Sequence, residues 1–223
     1  MSKKNTVADV KHPFYRERYR DWVKWRDTYE GGQRFINRYL KKFSTRETKE
    51  AYDRRKELTY NPAFAKGAVN EIKNSIFSRL IDAARIGGSE SYQKAVKGVE
   101  GGVDNLGSSM DNFIGSQILP ELLPMARVGV YVDMPRIEPG STLRDTYGKR
   151  PYVYIYRVED IRSWECDESM SDSEYTNVLL QDYIETYDEE TGLPTGFENC
   201  MRHVWKDADG QVWCQYYKSS GDL

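Results

Sequence analysis

The spacing of apolar side chains divides the chain into a helical first half and a stranded second half. From Pro13 to Tyr29, at about 100° per residue, Phe14, Tyr15, Tyr19, Trp22, Val23, Trp25 and Tyr29 fall within one half of a helical wheel. Arg16, Glu17, Arg20, Asp21, Lys24 and Asp27 fall on the other half, which predicts an aromatic face packed inward and a solvated charged face, with Trp22 in the core. Pro13 suits a helix start, where its missing N–H costs nothing, and Gly31-Gly32 marks the stop. QRFINRYLKKF predicts a short second helix. Ser44-Thr45-Arg46-Glu47 has capping-box spacing and is expected to open a polar, exposed third helix through Glu57. Tyr60-Asn61-Pro62 breaks the pattern, because a residue before proline avoids the α region.

PAFAKGAVNEIKNSIFSRLIDAAR is then predicted helical, with Val69, Ile72, Ile76 and Leu80 as its packed stripe. SESYQKAVKGVEGG reads as a brief helix entering a glycine loop. SSMDNFIGSQILPELLPMARVG is apolar almost all round, which predicts a buried helix kinked or divided at Pro120 and Pro124. From Gly129 the period shortens to two. GVYVDM, PYVYIYRV, YTNVLLQDYIETY and NCMRHVWKDADGQVWCQYYK read as strands, with Asp207-Ala208-Asp209-Gly210 supplying a hairpin turn. Alternation puts Tyr152, Tyr154 and Tyr156 on one face of their strand and Val153, Ile155 and Arg157 on the other, with the aliphatic face expected inward. An acidic turn closed by Trp164 follows. Helices followed by strands predict an α+β protein with a mainly antiparallel sheet. The expected regions are a helical one over 1–128, containing a basic arm over 1–58, and a β-rich one over 129–223. The last strand has no closing element after it, so the chain reads like the front of a longer polypeptide.

Composition narrows the class. Of 223 residues, 39% are hydrophobic and 30% charged, with a mean hydropathy of −0.78. No apolar run approaches the roughly 20 residues that span a bilayer, so no membrane partner is expected. The three cysteines, Cys166, Cys200 and Cys214, lack close spacing and fit a reduced setting. The net charge of −2 conceals an asymmetry, because residues 1–58 hold 17 Lys or Arg against 9 Asp or Glu. A basic arm on an acidic body can touch phosphates or a neighbouring acidic surface.

Catalytic chemistry is thinly represented. Cys200, His203 and Cys214, with Cys166 far off, fit no standard zinc spacing. His12 and His203 come with no nucleophile-elbow pattern. EGGVDNLGSS lacks the ending and the preceding strand of a phosphate loop, and Asp167–Asp172 lacks an EF-hand's spacing. The expectation is a protein that is not an enzyme and needs no cofactor or metal.

Several stretches in order carry more information than any one of them. HPFYRERYRDWVKWRDTYEG holds Trp22, Arg26 and Asp27; ARVGVYVDMP holds Gly129, Asp133 and Pro135; RPYVYIYRVEDIRSWE holds Arg150, Pro151, Tyr152, Glu159, Asp160, Ile161 and Trp164. With FINRYL and YNPA between them, this set resembles the tailed-bacteriophage portal (head–tail connector) proteins, in the branch first described as a phage domain of unknown function. The resemblance covers most of residues 12–165 and implies the wing-side portion of a portal subunit. It implies a homo-oligomeric ring, usually of about twelve subunits, at one capsid vertex of the virion, assembled in the host cytoplasm. The implied partners are the major capsid protein, terminase, head–tail adaptor or tail proteins, and the double-stranded DNA packaged and ejected through the channel. Tyrosine and tryptophan surplus suits lateral interfaces. Two other classes remain open. One is a nucleic-acid-binding module using Lys41, Lys42, Arg54, Arg55 and Lys56 among the aromatics of the basic arm. The other is a metal-dependent enzyme built on Cys200, His203 and Cys214.

Overall fold

A computed structural model of the chain describes residues 6–78, 85–135, 142, 149–167 and 174–218. It is an α+β protein, helical first and then antiparallel. The helices are α1 (Pro13–Glu30), α2 (Gly32–Tyr39), α3 (Lys49–Leu58), α4 (Phe64–Phe77), α5 (Glu90–Val96), α6 (Met110–Phe113) and α7 (Leu119–Met125). The strands are β1 (Val128–Asp133), β2 (Tyr152–Arg157), β3 (Ile161–Asp167), β4 (Glu174–Tyr187), β5 (Pro194–Lys206) and β6 (Val212–Lys218). β1 and β2 form a two-stranded sheet, and β3-β4-β5-β6 a four-stranded one in which successive strands pair antiparallel. Packing divides the chain into two compact units: residues 22–155 form one, and residues 1–21 with 156–223 form the other. Composition changes at Gly129, whereas packing divides the chain elsewhere.

The helical unit is organised around buried Trp22, Tyr29, Ile36, Val96, Val103, Phe113 and Met125. Trp22 is a core residue, as its place on the wheel predicts, but the inward face of α1 is narrower than half a wheel. Phe14, Tyr19 and Trp25 are each about 40% exposed, while Arg26 and Asp27 are buried. Asp27, expected on the solvated face, is fully enclosed. The α1–α2 junction turns at Gly31 with φ +64°, and a methyl there would stand 3.0 Å from the Asn61 carbonyl oxygen. That oxygen accepts the Gly32 N–H at 2.9 Å, so the corner needs glycine for both conformation and space.

Three local expectations change. Ser44–Glu47 is a turn: Ser44 Oγ accepts the Arg46 N–H and Glu47 reaches back to the Phe43 N–H at 2.7 Å. The cap of α3 is Thr48, whose hydroxyl accepts the Ala51 N–H at 3.2 Å, and α3 is exposed as expected. α4 buries none of its side chains fully, and the expected stripe residues Ile72 and Ile76 are half exposed; Leu80 lies outside the described residues. The expected buried helix is one run from Met110 to Met125, with π-helical geometry over Ile114–Ile118. The Leu119 N–H bonds the Ile114 carbonyl five residues back, just before Pro120, which has no N–H to continue an α ladder. The helix is not apolar all round in its burial: Phe113, Glu121 and Met125 are buried, while Leu122 and Leu123 are about 40% exposed. The long loop expected after β1 lies mostly outside the described residues.

The sheet unit has Tyr15, Tyr156, Val158, Ile161, Leu179, Leu180, Cys200 and Met201 at its centre. β4 and β5 pair from Asn177 opposite Trp205 to Tyr187 opposite Pro194. β3 covers β4 only as far as Leu180, and β6 covers β5 only from Cys200 onward. Beyond these limits the hairpin continues, among the described residues, as a two-stranded ribbon. The N-terminal segment belongs to this unit, since the His12 N–H bonds the Arg162 carbonyl of edge strand β3 at 2.9 Å. The tyrosine strand also departs from expectation. Tyr156 is buried rather than turned to water, because its hydroxyl has a charged acceptor inside the unit. Trp164 lies within β3 rather than closing the acidic turn, which is the 3₁₀ turn Val158–Asp160.

Candidate functional site

The helical unit contains two buried charged groups joined to one element. Adjacent residues Arg26 and Asp27 leave α1 in different directions, each toward its own partner. Arg26 meets Glu121 of α7 through two bonds, Nη1 to Oε1 at 2.8 Å and Nη2 to Oε2 at 2.6 Å, with the Arg26 side chain 4% exposed. A bidentate pair of this kind satisfies a carboxylate that would otherwise be costly among apolar side chains. Asp27 accepts from Arg38 at 2.7 Å and Tyr39 at 3.1 Å, and Arg34 Nε stands 2.8 Å from its other oxygen. Burial of the hydroxyl, then its bond to Asp27, raises the Tyr39 pKa, and Asp27 likewise raises that of Arg38. One aspartate thereby fixes α2 against α1.

The second resemblance-bearing cluster of this unit lies around the glycine loop. Arg150 bonds the Glu100 carbonyl, and the Val153 N–H bonds the Val103 carbonyl at 2.8 Å, tying the start of β2 to the loop. Asp104 accepts from the backbone of Leu106 and Ser108 and closes the loop on itself. Tyr154 gives its hydroxyl to Asp133 at 3.0 Å and lies beside Tyr131 and Tyr152. Asp133 also accepts the Met134 N–H at 2.8 Å, so it holds both the end of β1 and a β2 side chain. Tyr152 is half-buried, Gly129 lies within β1 and Pro135 just beyond it, both at partly covered positions.

In the sheet unit the acidic turn holds the start of the chain. The Tyr15 hydroxyl donates to the Glu159 carbonyl at 2.8 Å and accepts from Arg162 at 2.7 Å, and burial raises its pKa far above the ordinary phenol range. His12 stacks on Trp164 with ring centres 4.1 Å apart, and Phe14 meets the same indole edge-on. Ile161 is buried; burial and then nearby Asp160 raise the Tyr183 pKa, and Asp160 adds to the rise at Tyr15. Beneath them, Asp182 accepts from Tyr156 at 3.0 Å and Arg202 at 2.9 Å, while Arg202 lies 4.8 Å from the centre of the Tyr216 ring. A cavity of about 130 Å³ is bordered by Ala8, Arg162, Gln181, Asn199, Cys200 and Met201. The Cys200 thiol beside it has its pKa raised by burial, which disfavours the reactive thiolate.

The metal candidates are placed apart. Cys200 is opposite Lys218 and Cys214 opposite Val204 on the sheet, while His203 Nε2 sits 2.8 Å from Asn177 Oδ1 and stacks on Trp205. Among the described residues no group of three His, Cys, Asp or Glu side chains is arranged to hold a metal ion, and no helix is long and apolar enough to cross a membrane. Of the basic-arm candidates, Lys41, Lys42 and Arg54 are exposed. Arg55 is bound to Glu47 through Nε at 2.9 Å and to the Lys41 carbonyl at 2.8 Å, and Lys56 reaches the Asn37 carbonyl and lies over Tyr52. The structure therefore joins Arg26 and Asp27, Arg150 and Tyr152, and Glu159 through Trp164 into packing nodes. Glu121, Arg162 and Asp182 were not singled out by pattern. Glu121 carried a usable signal, as the one carboxylate in the apolar stretch from Phe113 to Met125. No protein-family model matches the chain, and no curated protein matches it at a significant level.

Proposed function

We propose that this chain is the wing-side part of a tailed-phage portal subunit, a structural ring component rather than an enzyme. The observation that carries the reading is where the resemblance-bearing residues lie. Trp22, Arg26, Asp27, Asp133, Arg150, Tyr152, Ile161 and Trp164 are spread over some 140 residues of sequence, yet each takes part in the core or in a hydrogen-bonded or stacked node. Such positions hold a rigid scaffold in register, which is what a load-bearing ring requires of its subunits. Apolar side chains left open in a single copy support the same reading: Ile72 and Ile76 on α4, Val130 and Val132 on β1, and Trp25 on α1. In this reading the ring stands at one capsid vertex, the lateral faces meet other copies, and capsid protein, terminase and tail adaptor bind around it while double-stranded DNA passes through the channel. Rings of this kind use head-to-tail contacts that close by rotation.

Electron microscopy of the purified protein tests the proposal. Closed rings around a central channel are the expected particles. Particles of a single copy only, at every concentration and salt, overturn it.

A further inference from the structure

The β4–β5 hairpin outruns the sheet that supports it. Past Leu180 on one strand and before Cys200 on the other, no third strand pairs with it among the described residues. Tyr183 stands opposite Asn199, Glu185 opposite Phe197 and Tyr187 opposite Pro194. Alternation along β4 puts Tyr183, Glu185 and Tyr187 on one face, where the Tyr187 hydroxyl donates to Glu185 and Phe197 stands opposite Glu185; the pairing shifts register between Thr186 and Tyr187. Tyr183, Phe197 and Tyr187 are 52%, 72% and 57% exposed. The tip is nevertheless well built: Asp188 accepts from the Thr191 and Glu190 N–H groups, and the Asp188 N–H bonds the Leu193 carbonyl at 2.9 Å. An isolated two-stranded hairpin is marginal in water, and one with a hydrogen-bonded tip and an open aromatic face is shaped for a partner.

Charge identifies the partner. Residues 182–198 carry six carboxylates and no Lys or Arg, whereas residues 34–56 carry nine Lys or Arg against three carboxylates. The basic stretch has open apolar groups of its own, with Phe43 91% exposed and the following Leu58 and Tyr60 74% and 83% exposed. Acidic residues can guard free strand edges against misassociation. Guarding edges does not call for three aromatics aligned on one face, whereas docking does.

We infer that the acidic aromatic ribbon of one copy docks on the basic α2–α3 surface of a second copy, a head-to-tail contact in which opposite charge sets partner and orientation and the aromatics supply the buried area. The contact does not require a closed ring, since a dimer or open chain of copies uses it equally.

Light scattering after size exclusion, on the intact protein and two charge-altered forms, tests this. The ribbon form carries Glu189→Lys and Glu190→Lys; the basic-surface form carries Lys41→Glu, Arg46→Glu and Arg54→Glu. All five side chains are exposed, and unchanged circular dichroism checks that both forms fold. Wild type is expected to self-associate at low salt, and each reversal or high salt to weaken this by about tenfold or more. Mixing the two altered forms restores association as a mixed pair, because the unaltered ribbon of one form meets the unaltered basic surface of the other. Phe197→Ser is expected to weaken association without removing its salt dependence. A protein of single-copy mass at low salt, reversals that leave association unchanged, or a mixture that fails to regain mass overturns the inference. Reversals that lower stability but not mass place the pairing within one copy and overturn it too. Association that responds as expected but yields no rings removes the portal reading and leaves the contact standing.

Discussion

Asp27 and Trp22 show how far single positions were legible. Trp22 combines a large apolar surface with an unambiguous place on the wheel, and it is 4% exposed. Replacing it by alanine is expected to cost about 3–5 kcal/mol in urea unfolding. Asp27 has the same periodicity information but is buried, because two donors and a further guanidinium from α2 meet it there. Periodicity records which face is polar; it carries no record of a polar partner arriving from another element. The same holds for Arg26, whose partner Glu121 is 95 residues away. Glu121→Leu alone is expected to destabilise by about 3–5 kcal/mol, because it strands a buried guanidinium. Arg26→Met with Glu121→Leu is expected to recover most of that loss, as a double-mutant cycle in urea would read. His203 offers a pH test. Burial lowers its pKa below the ordinary 6.5, so the unfolded state takes up a proton before the folded state does. Stability is therefore expected to fall as pH drops below about 6.5 and through the lower folded value, and His203→Gln is expected to flatten that slope.

At the scale of elements, helices followed by strands track the change of apolar period, and the α+β class follows with it, whereas β3 was expected as part of an acidic turn. Faces were less legible than boundaries. The tyrosine strand has a clean alternation, but both of its side-chain sets are amphipathic or aliphatic, so either face can be the inner one. Tyr156 goes inward because Asp182 receives its hydroxyl. Pro120 was expected to disturb its helix, and the π segment is the form the disturbance takes: the ladder lengthens to i→i+5 before the missing donor. The two hairpin turns share a device. Bonds from the Thr191 backbone hold the Asp188 pKa below 3.8, and the Trp213 indole N–H at 2.7 Å does the same for Asp207. Their folded values are depressed, so the stabilisation is complete above the ordinary carboxylate pKa and is lost as pH falls through the folded values. Amide exchange at Glu190, Thr191, Asp209 and Gln211 is expected to quicken in that acid range, and Asp188→Asn is expected to remove the effect at the first turn.

For the molecule as a whole, the sheet unit is assembled from both ends of the sequence, with residues 22–155 interposed. Nothing in the pattern of α1 announces that its first turns belong with strands encoded far downstream; only the resemblance placed the two stretches in one motif set. Removing residues 1–12 deletes the ring stacked on Trp164 and the bond to the Arg162 carbonyl. The emission of Trp164, read against a Trp164→Phe control, is expected to shift to longer wavelength, and amides of β3 to exchange faster. The Tyr15–Glu159 bond joins residues 144 apart. During synthesis at roughly 5–20 residues per second, Tyr15 leaves the ribosome on the order of ten seconds before its acceptor exists. The helical unit, complete by residue 155, can close in that interval, while the first turns of α1 stay unsheathed. Translation order thus leaves the aromatic face of Phe14, Tyr15 and Tyr19 open to any factor that meets the nascent chain until Glu159 has been made.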